Sequence, residues 1–268
     1  MIPFLKTVEV AMPVTNLDPE SRRRKIVAVV TREGSCHIDD LAQMFQVSAM
    51  TVYRDVADLE HLQLVTLRRG EVQAAQTSLS EAAATVRLGA KSDLKHRLSD
   101  RARSYLRRGQ SIMVDDSSST VPLISDLADL CPITVATNAE FVAQRLRLQE
   151  GVKLLLLGGE YESWADAYFG ELTEASISRL QVDWLIMSVS AITYGYCYHP
   201  QENVARTKRQ MIAAARQRIL VADCSKFSRA ALYKIGSLTD FDIVITDTQA
   251  PPEIVAAMRK SGLQVDVV

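Results

Sequence analysis

The stretch that decides the fold of the first part of the chain reads Ser48-Ala49-Met50-Thr51-Val52-Tyr53-Arg54-Asp55-Val56-Ala57-Asp58-Leu59-Glu60. Ser48 is a good helix N-cap, because its hydroxyl accepts hydrogen bonds from backbone N–H groups two or three residues later. Val52, Val56 and Leu59 recur at helical spacing and predict one buried face. The opposite face carries hydroxyl, aromatic and guanidinium groups, which suits a DNA major groove. Taken alone, the pattern also fits an ordinary amphipathic surface helix.

The flanking segments favour the DNA-binding interpretation. Residues 21–33 predict a helix whose basic run 22–25 contacts phosphates or forms a solvated face, and residues 38–45 predict a second helix. Two β-prone runs around Gly70 then predict a hairpin with a basic tip. Three short helices and a hairpin form a winged helix-turn-helix unit. The side chains expected to contact DNA are Arg24, Ser48, Met50, Thr51, Tyr53, Arg54, Arg68 and Arg69.

Composition is that of an ordinary globular protein, with 268 residues, 47% hydrophobic and 24% charged. Residues 1–110 hold 17 Lys+Arg and 13 Asp+Glu, and the remainder holds 14 and 19, which fits DNA contacts at one end. Four scattered cysteines without a C-x-x-C pair predict neither a metal site nor a disulfide framework. We find no secretory signal and no apolar run of membrane-spanning length. We therefore expect a cytoplasmic protein without membrane contacts or a cofactor.

From residue 109 onward, apolar β-like runs alternate with helical patterns, as in a parallel sheet covered on both faces. The predicted strands are 112–114, 133–136, 153–157, 184–189, 219–222, 243–246 and 265–268. The predicted helices are 121–130, 139–149, 171–180, 202–216 and 252–261. The fold class expected is α/β, with a larger, Rossmann-like, mostly parallel domain after the winged helix-turn-helix. The expected divisions are an extension (1–20), the DNA-binding domain (21–76), a linker and connecting helix (77–108) and the α/β domain (109–268).

Polar residues follow the predicted strands, at the edge where open α/β sheets bind ligands. Hydroxyls at the start of a helix suit a phosphate. Carboxylates accept hydrogen bonds from sugar hydroxyls, and lysines supply a compensating charge. Each loop alone is more often a cap or a turn, but several at one sheet edge favour a polyhydroxy phosphate ligand. The candidate residues are Asp115, Ser117, Ser118, Ser119, Thr120, Thr137, Asn138, Gly158, Gly159, Lys208 and Lys226.

Together these motifs resemble bacterial transcription regulators of the DeoR/GlpR family over residues 22–268. The matching segments are Ser48-x-x-Thr51-Val52-x-Arg54-Asp55, Asp115 with residues 117–120, Thr137-Asn138, Gly158-Gly159, Lys208-Arg209-x-Met211-Ile212 and Asp223-x-Ser225-Lys226-Phe227. The resemblance implies a repressor of a sugar, sugar-alcohol or nucleoside catabolic operon. It also implies a second domain that resembles sugar-phosphate isomerases and senses a phosphorylated intermediate, which relieves repression. The expected partners are operator DNA, a sugar phosphate and a second copy of the chain, as a homodimer or higher homo-oligomer.

The chain departs from the family pattern at several positions. Tyr53 stands where the family often has arginine, and Ser117 stands where it usually has glycine. The acidic residues usual just before Lys208 are shifted, which leaves Glu202 as a candidate effector ligand. These differences predict an operator and an effector unlike the best-known ones.

Two other functions fit the same residues. One is a sugar-phosphate isomerase-like enzyme with an accessory DNA-binding domain. His199 and Glu202 are its only nearby candidate bases and lack an electrophilic partner, so no catalytic residue is assigned. The other is a regulator whose second domain serves only for oligomerisation.

Overall fold

The computed structural model describes residues 18–33, 35–61, 64–74, 81, 84–89, 92–125 and 127–268. The chain forms two compact units, Met1–Ala75 and Gln76–Val268. Most of the expected N-terminal extension lies outside the described residues. Among the described residues, no helix is both long and apolar enough to cross a membrane.

The first unit is a winged helix-turn-helix. Its elements are α1 (Pro19–Glu33), β1 (Ser35–His37), α2 (Ile38–Phe45), α3 (Ala49–His61), β2 (Val65–Arg68) and β3 (Glu71–Ala74). The three strands form an antiparallel sheet in the order β1-β3-β2. Apolar side chains of all three helices and of the wing pack into one core around Ile26, Leu41, Val52 and Val72. The predicted helices and hairpin are confirmed, whereas β1 has no signal in its three-residue sequence.

The second unit begins with α4 (Ala84–Gly89) and α5 (Ser92–Arg103) and continues as an α/β fold. The strands of its large sheet are β4 (Ser111–Val114), β5 (Ile133–Thr137), β6 (Val152–Leu156), β9 (Val182–Met187), β12 (Ala215–Val221), β14 (Ile243–Thr246) and β15 (Gln264–Val267). The helices between them are α6 (Val121–Ile124), α7 (Glu140–Leu146), α8 (Glu171–Ile177), α9 (Glu202–Ala213) and α10 (Pro252–Lys260). All seven predicted strands are confirmed in this one sheet.

The seven strands are parallel and lie in the order β15-β14-β12-β9-β4-β5-β6. Alternate residues of β4 enter two separate cores, with Ile112 and Val114 in one and Met113 in the other. Both faces of the sheet are therefore covered, as the near-continuous apolar strands predict. The chain runs outward from β4 in one direction and from β9 in the other, so the topological switch point lies between these two strands.

Several elements differ from the sequence prediction. The helix expected over 121–130 is a single turn, α6, followed by a 3-10 turn at Ala128–Leu130, and the Ser125 hydroxyl donates to the Val121 carbonyl over 3.2 Å. Such local bonds compete with helix continuation. The antiparallel pieces were not predicted, because their strands are short. They are the hairpin β7 (Glu160–Glu162) and β8 (Ala167–Phe169), and the sheet of β10 (Ala191–Thr193), β11 (Tyr196–His199) and β13 (Tyr233–Ser237).

Candidate functional site

The first candidate surface is the exposed face of α3. The Ser48 hydroxyl caps the helix by accepting from Thr51 N over 3.1 Å. Met50 is 68% exposed, Tyr53 is 42% exposed, and Arg54 is exposed as well. These residues leave a hydroxyl, a thioether, a phenol and a guanidinium facing solvent, which is the mixture that reads base edges and phosphates.

The buried face of α3 holds a charged residue that the apolar pattern did not reveal. Asp55 is 4% exposed and accepts from Arg22 Nε over 2.5 Å and from Arg22 Nη2 over 3.3 Å. Arg23 lies 3.5 Å from Asp55 and 3.1 Å from Asp58. Half of the basic run at the start of α1 is therefore directed at α3. This corrects the expectation that the whole run lies on phosphates or forms a solvated face; the side chain of Arg24 lies outside the described atoms.

The wing presents a basic turn. Arg69 and Gly70 have φ values of 53° and 81°, and positive φ at both central residues defines the tight hairpin turn that matches strand twist. Arg68 and Arg69 are exposed. Leu67 N donates to Glu60 Oε1 over 2.6 Å, which attaches the wing to the end of α3. The hairpin thus holds two guanidinium groups in a fixed relation to the exposed helix face.

The second candidate site is a pocket of about 110 Å³ in the second unit. A water molecule needs roughly 10–15 Å³, so the pocket accommodates a small organic molecule. It lies beyond the carboxyl ends of β4, β9 and β12, at the switch point where open α/β sheets bind ligands. The lining residues are Glu81, Arg87, Lys95, Asp116, Ser117, Ser118, Ser119, Ser188, Val189, Ser190, His199, Lys208, Asp223, Ser225, Lys226 and Arg229.

Lys208 of α9 forms the buried end of the pocket. Its amine pairs with Asp115, lies 3.2 Å from Asp116 and donates to Ser188 O over 3.1 Å. Burial alone would lower the pKa of Lys208, but the two carboxylates outweigh it and raise that pKa. Burial raises the pKa of Asp115, whereas the charges of Lys208 and Arg87 overcome burial and lower the pKa of Asp116. The Lys208 charge is therefore neutralised within the protein.

His199, at the end of β11, is 3% exposed and lines the same pocket. Burial and the nearby charge of Lys208 lower its pKa to about 4, so the ring is neutral at physiological pH. Its Nδ1 accepts from Gln201 N over 3.0 Å. A neutral imidazole fixed in this way offers a hydrogen bond rather than a charge to a ligand.

Two polar groups that line the pocket, the Lys226 amine and the Ser188 hydroxyl, have no hydrogen-bond partner in the described part of the chain. The Lys226 amine makes no hydrogen bond or ion pair within the described residues, and burial lowers its pKa. The buried Ser188 hydroxyl likewise has no described partner. Buried donors without a hydrogen-bond acceptor are costly, so this amine and this hydroxyl indicate an anionic, hydrogen-bonding ligand.

The structure brings together only part of the predicted ligand set. Ser117, Ser118, Ser119, Lys208 and Lys226 line the pocket, and Asp115 supports Lys208 behind it. Thr120 is fully buried and donates to Ser117 O over 2.7 Å, which makes it part of the loop's own framework. Since α6 is a single turn, the hydroxyls rather than a helix dipole supply the loop's binding capacity.

The other predicted ligands lie outside the pocket lining. Thr137 Oγ1 accepts from Ala139 N over 3.1 Å, within the turn that leads into α7. Asn138 Nδ2 donates to Tyr168 O over 2.9 Å, which ties the end of β5 to the β7–β8 hairpin. A Cβ on Gly159 would come within 2.5 Å of Phe169 O, which gives that glycine a packing reason.

Gly158 and Glu202 also lie outside the pocket lining. Gly158 O accepts from Thr173 Oγ1 over 2.9 Å. Glu202 is exposed and borders a different cleft, which Arg206 also lines.

The sequence prediction missed several lining residues, because they come from segments assigned to other roles. Arg87 and Lys95 lie on the connecting helices α4 and α5, whose basic residues gave no sign of a ligand site. Arg87 Nη1 donates to Asp116 O over 3.0 Å, and the Lys95 amine donates to Arg87 O. Glu81 and Arg229 have no local signal. Only the packing of the connecting helices against the sheet edge reveals this set.

Two family models match the chain in tandem. The DeoR-like helix-turn-helix domain matches residues 22–78, and the DeoR C terminal sensor domain matches residues 90–248. Similar proteins include the glycerol-3-phosphate regulon repressor of Escherichia coli (strain K12), 26% identical over 92% of this chain and 98% of that protein. The L-fucose operon activator of Haemophilus influenzae is 26% identical over 87% of this chain and 94% of its own length.

Solved structures give a more distant likeness. Ribose 5-phosphate isomerase A of Methanocaldococcus jannaschii aligns with a TM-score of 0.37 at 12% identity, covering 52% of this chain and 55% of that chain.

Proposed function

The chain belongs to the DeoR family of DNA-binding transcriptional regulators, and from that premise we propose that it represses a carbohydrate catabolic operon until a sugar phosphate binds its second unit. It is a regulator and not an enzyme, in keeping with relatives that are named as repressors or regulators of operons. The operon concerned would serve a sugar, a sugar alcohol or a nucleoside.

The observation that carries the effector half of the proposal is the Lys226 amine, which makes no hydrogen bond with a described residue and lines a pocket rich in hydroxyls. A phosphate needs positive charge and several donors, which Lys226, Arg229, Ser118 and Ser119 supply together. The carbon chain of the effector would then extend toward His199, where the neutral ring offers a hydrogen bond to a hydroxyl.

The DNA half of the proposal rests on α3 and the wing. Tyr53 and Arg54 would enter the major groove, while Arg68 and Arg69 would contact phosphates or the minor groove. An operator with two half-sites requires two copies of the helix, so we propose a homodimer or higher homo-oligomer acting in the cytoplasm.

The test is a gel shift of the full chain on DNA from upstream of its own and neighbouring genes, at fixed salt. Sugar phosphates and their unphosphorylated sugars are then titrated into the complex, and the same compounds are screened by thermal shift. An effector at about 100 times its Kd should stabilise the chain by about 2.7 kcal/mol. A set in which only phosphorylated compounds release DNA supports the proposal.

Lys226→Ala should weaken effector release while leaving DNA affinity intact, because the amine lies in the second unit. Lys153→Ala is the matched control, since Lys153 is exposed on β6 and does not line the pocket. If no sugar phosphate stabilises the chain or releases DNA, the second unit serves oligomerisation instead. If Lys226→Ala responds like the wild type, the effector site lies elsewhere.

A further inference from the structure

One carboxylate inside the pocket has no role in holding a phosphate. Glu81 lines the pocket together with Lys226, Arg87 and Arg229, and it accepts a hydrogen bond from the Ser190 hydroxyl. Asp116, the other acid near Arg87, is already engaged with Lys208 at 3.2 Å. Asp223 also lines the pocket, but it accepts from Ser225 N and Ser225 Oγ. Of the acids around Lys226, Glu81 has the larger effect on the pKa of that amine.

Glu81 is ionised in this setting. Burial would raise the pKa of its carboxyl, but the charges of Lys226 and Arg87 and the Ser190 hydrogen bond outweigh burial and lower it. A fixed negative charge beside the amine that would bind a phosphate repels that phosphate, unless one of the two anions leaves.

Glu81 lies close in sequence to the DNA-binding unit. Glu81 follows shortly after β3, the wing strand that ends at Ala74, and it precedes α4. Its hydrogen bond to Ser190 therefore ties the chain just after the DNA-binding unit to the loop that follows β9.

We propose that the Glu81 carboxylate is an internal counter-anion, which an incoming effector phosphate displaces, and that this exchange links pocket occupancy to DNA affinity. The inference rests on the proposed function, because it assumes that the pocket takes an anion. Coupling between two ligands is reciprocal, so whatever removes Glu81 from the cations favours the DNA-releasing state as the effector does. The unliganded protein holds its DNA-competent state through its own carboxylate.

The experiment compares the full-length wild type, Glu81→Gln and Glu202→Gln. Calorimetry with inorganic phosphate measures the anion site without sugar contacts, and gel shifts without phosphate measure DNA affinity at the same salt. Glu202→Gln controls for the loss of one negative charge, since Glu202 is exposed and outside the pocket. Circular dichroism confirms that each variant is folded.

We expect Glu81→Gln to bind inorganic phosphate about tenfold more tightly and DNA about tenfold more weakly, with Glu202→Gln unchanged in both; this lies within the usual range of coupling between sites. Phosphate affinity that is unchanged or weaker in Glu81→Gln overturns the counter-anion and leaves the proposed function standing. Tighter phosphate binding with unchanged DNA affinity overturns the link to DNA release. Absence of phosphate binding in all three proteins overturns both this inference and the anion pocket on which the proposed function rests.

Discussion

The exposed face of α3 and the pocket of the second unit handle charge in opposite ways. On α3 and the wing, Arg54, Arg68 and Arg69 face solvent. In the pocket, the Lys208 charge is buried and paired with Asp115 and Asp116. A solvated guanidinium has little effect on the free energy of unfolding and is accessible to a phosphate. A buried amine destabilises the fold unless its carboxylate partners are present.

Because of this difference, substitutions on the α3 face should change DNA binding, whereas substitutions of the buried Lys208 pair should change the stability of the fold. Removing a charge from the α3 face takes a contact from DNA and leaves the packing of the first unit intact. Removing the Lys208 charge from the pocket leaves Asp115 and Asp116 buried without that cation, so the fold loses stability along with the ligand site. The buried pair of Arg22 and Asp55 shows that the first unit also contains one such pair, behind its exposed face.

The largest expected effect is on the buried pocket charge. Lys208→Met should lower the free energy of unfolding by about 3–5 kcal/mol, because Asp115 and Asp116 are left buried without their cation. Urea unfolding followed by tryptophan fluorescence reports the second unit, since Trp164 and Trp184, the chain's two tryptophans, both lie there. Lys153→Met, at an exposed position, should stay within about 0.5 kcal/mol of the wild type. Equal losses of unfolding free energy in Lys208→Met and Lys153→Met would contradict the expected difference between a buried and a solvated charge.

Asp55→Asn tests the buried pair behind α3. The amide accepts fewer hydrogen bonds than the carboxylate, so Arg22 is left partly unsatisfied at a cost of about 2–3 kcal/mol. Hydrogen exchange of α1 and α3 peptides in the full chain should rise, and DNA affinity should fall with it. Asp58→Asn is the control, because Asp58 pairs with Arg23 at the surface. A larger effect from Asp58→Asn would contradict the assigned role of Asp55.

The buried His199 predicts that the stability of the second unit depends on pH. Its pKa is about 4 in the folded chain and 6.5 ordinarily, so the unfolded chain binds more protons between those values. Its stabilising contribution is therefore complete above about pH 6.5 and falls by about 2 kcal/mol between pH 7 and pH 5. His199→Gln should remove this part of the slope in urea unfolding at the two pH values. Identical slopes in both proteins would show that His199 does not titrate in this way.

The smallest change in stability is expected on the α3 face. Arg54→Ala should lower DNA affinity about tenfold, or about 1.4 kcal/mol, with the melting temperature unchanged. Gel shifts at fixed salt measure the affinity. Arg179→Ala, an exposed arginine of the second unit, is the matched control. Unchanged affinity in Arg54→Ala would remove this residue from the DNA contacts.

The two regions also differ in how far the sequence predicts them. The exposed residues of α3 all belong to one helix, so helical periodicity alone separates Tyr53 and Arg54 from the buried Val52 and Val56. The burial of Asp55 is not predicted from this periodicity, because a buried charged residue on an apolar face is recognised only when its partner Arg22 on α1 is known.

The sequence by itself determined the seven strands of the large sheet and the loops that follow them, because burial on both faces of a sheet imposes continuous apolar runs that are visible locally. Tertiary structure alone decided which loops meet. It brought Arg87, His199 and Glu81 to the pocket and left Thr137, Gly159 and Glu202 outside its lining. The reason is physical: strand order and the docking of the connecting helices depend on packing between residues far apart in the chain, and no local pattern encodes that.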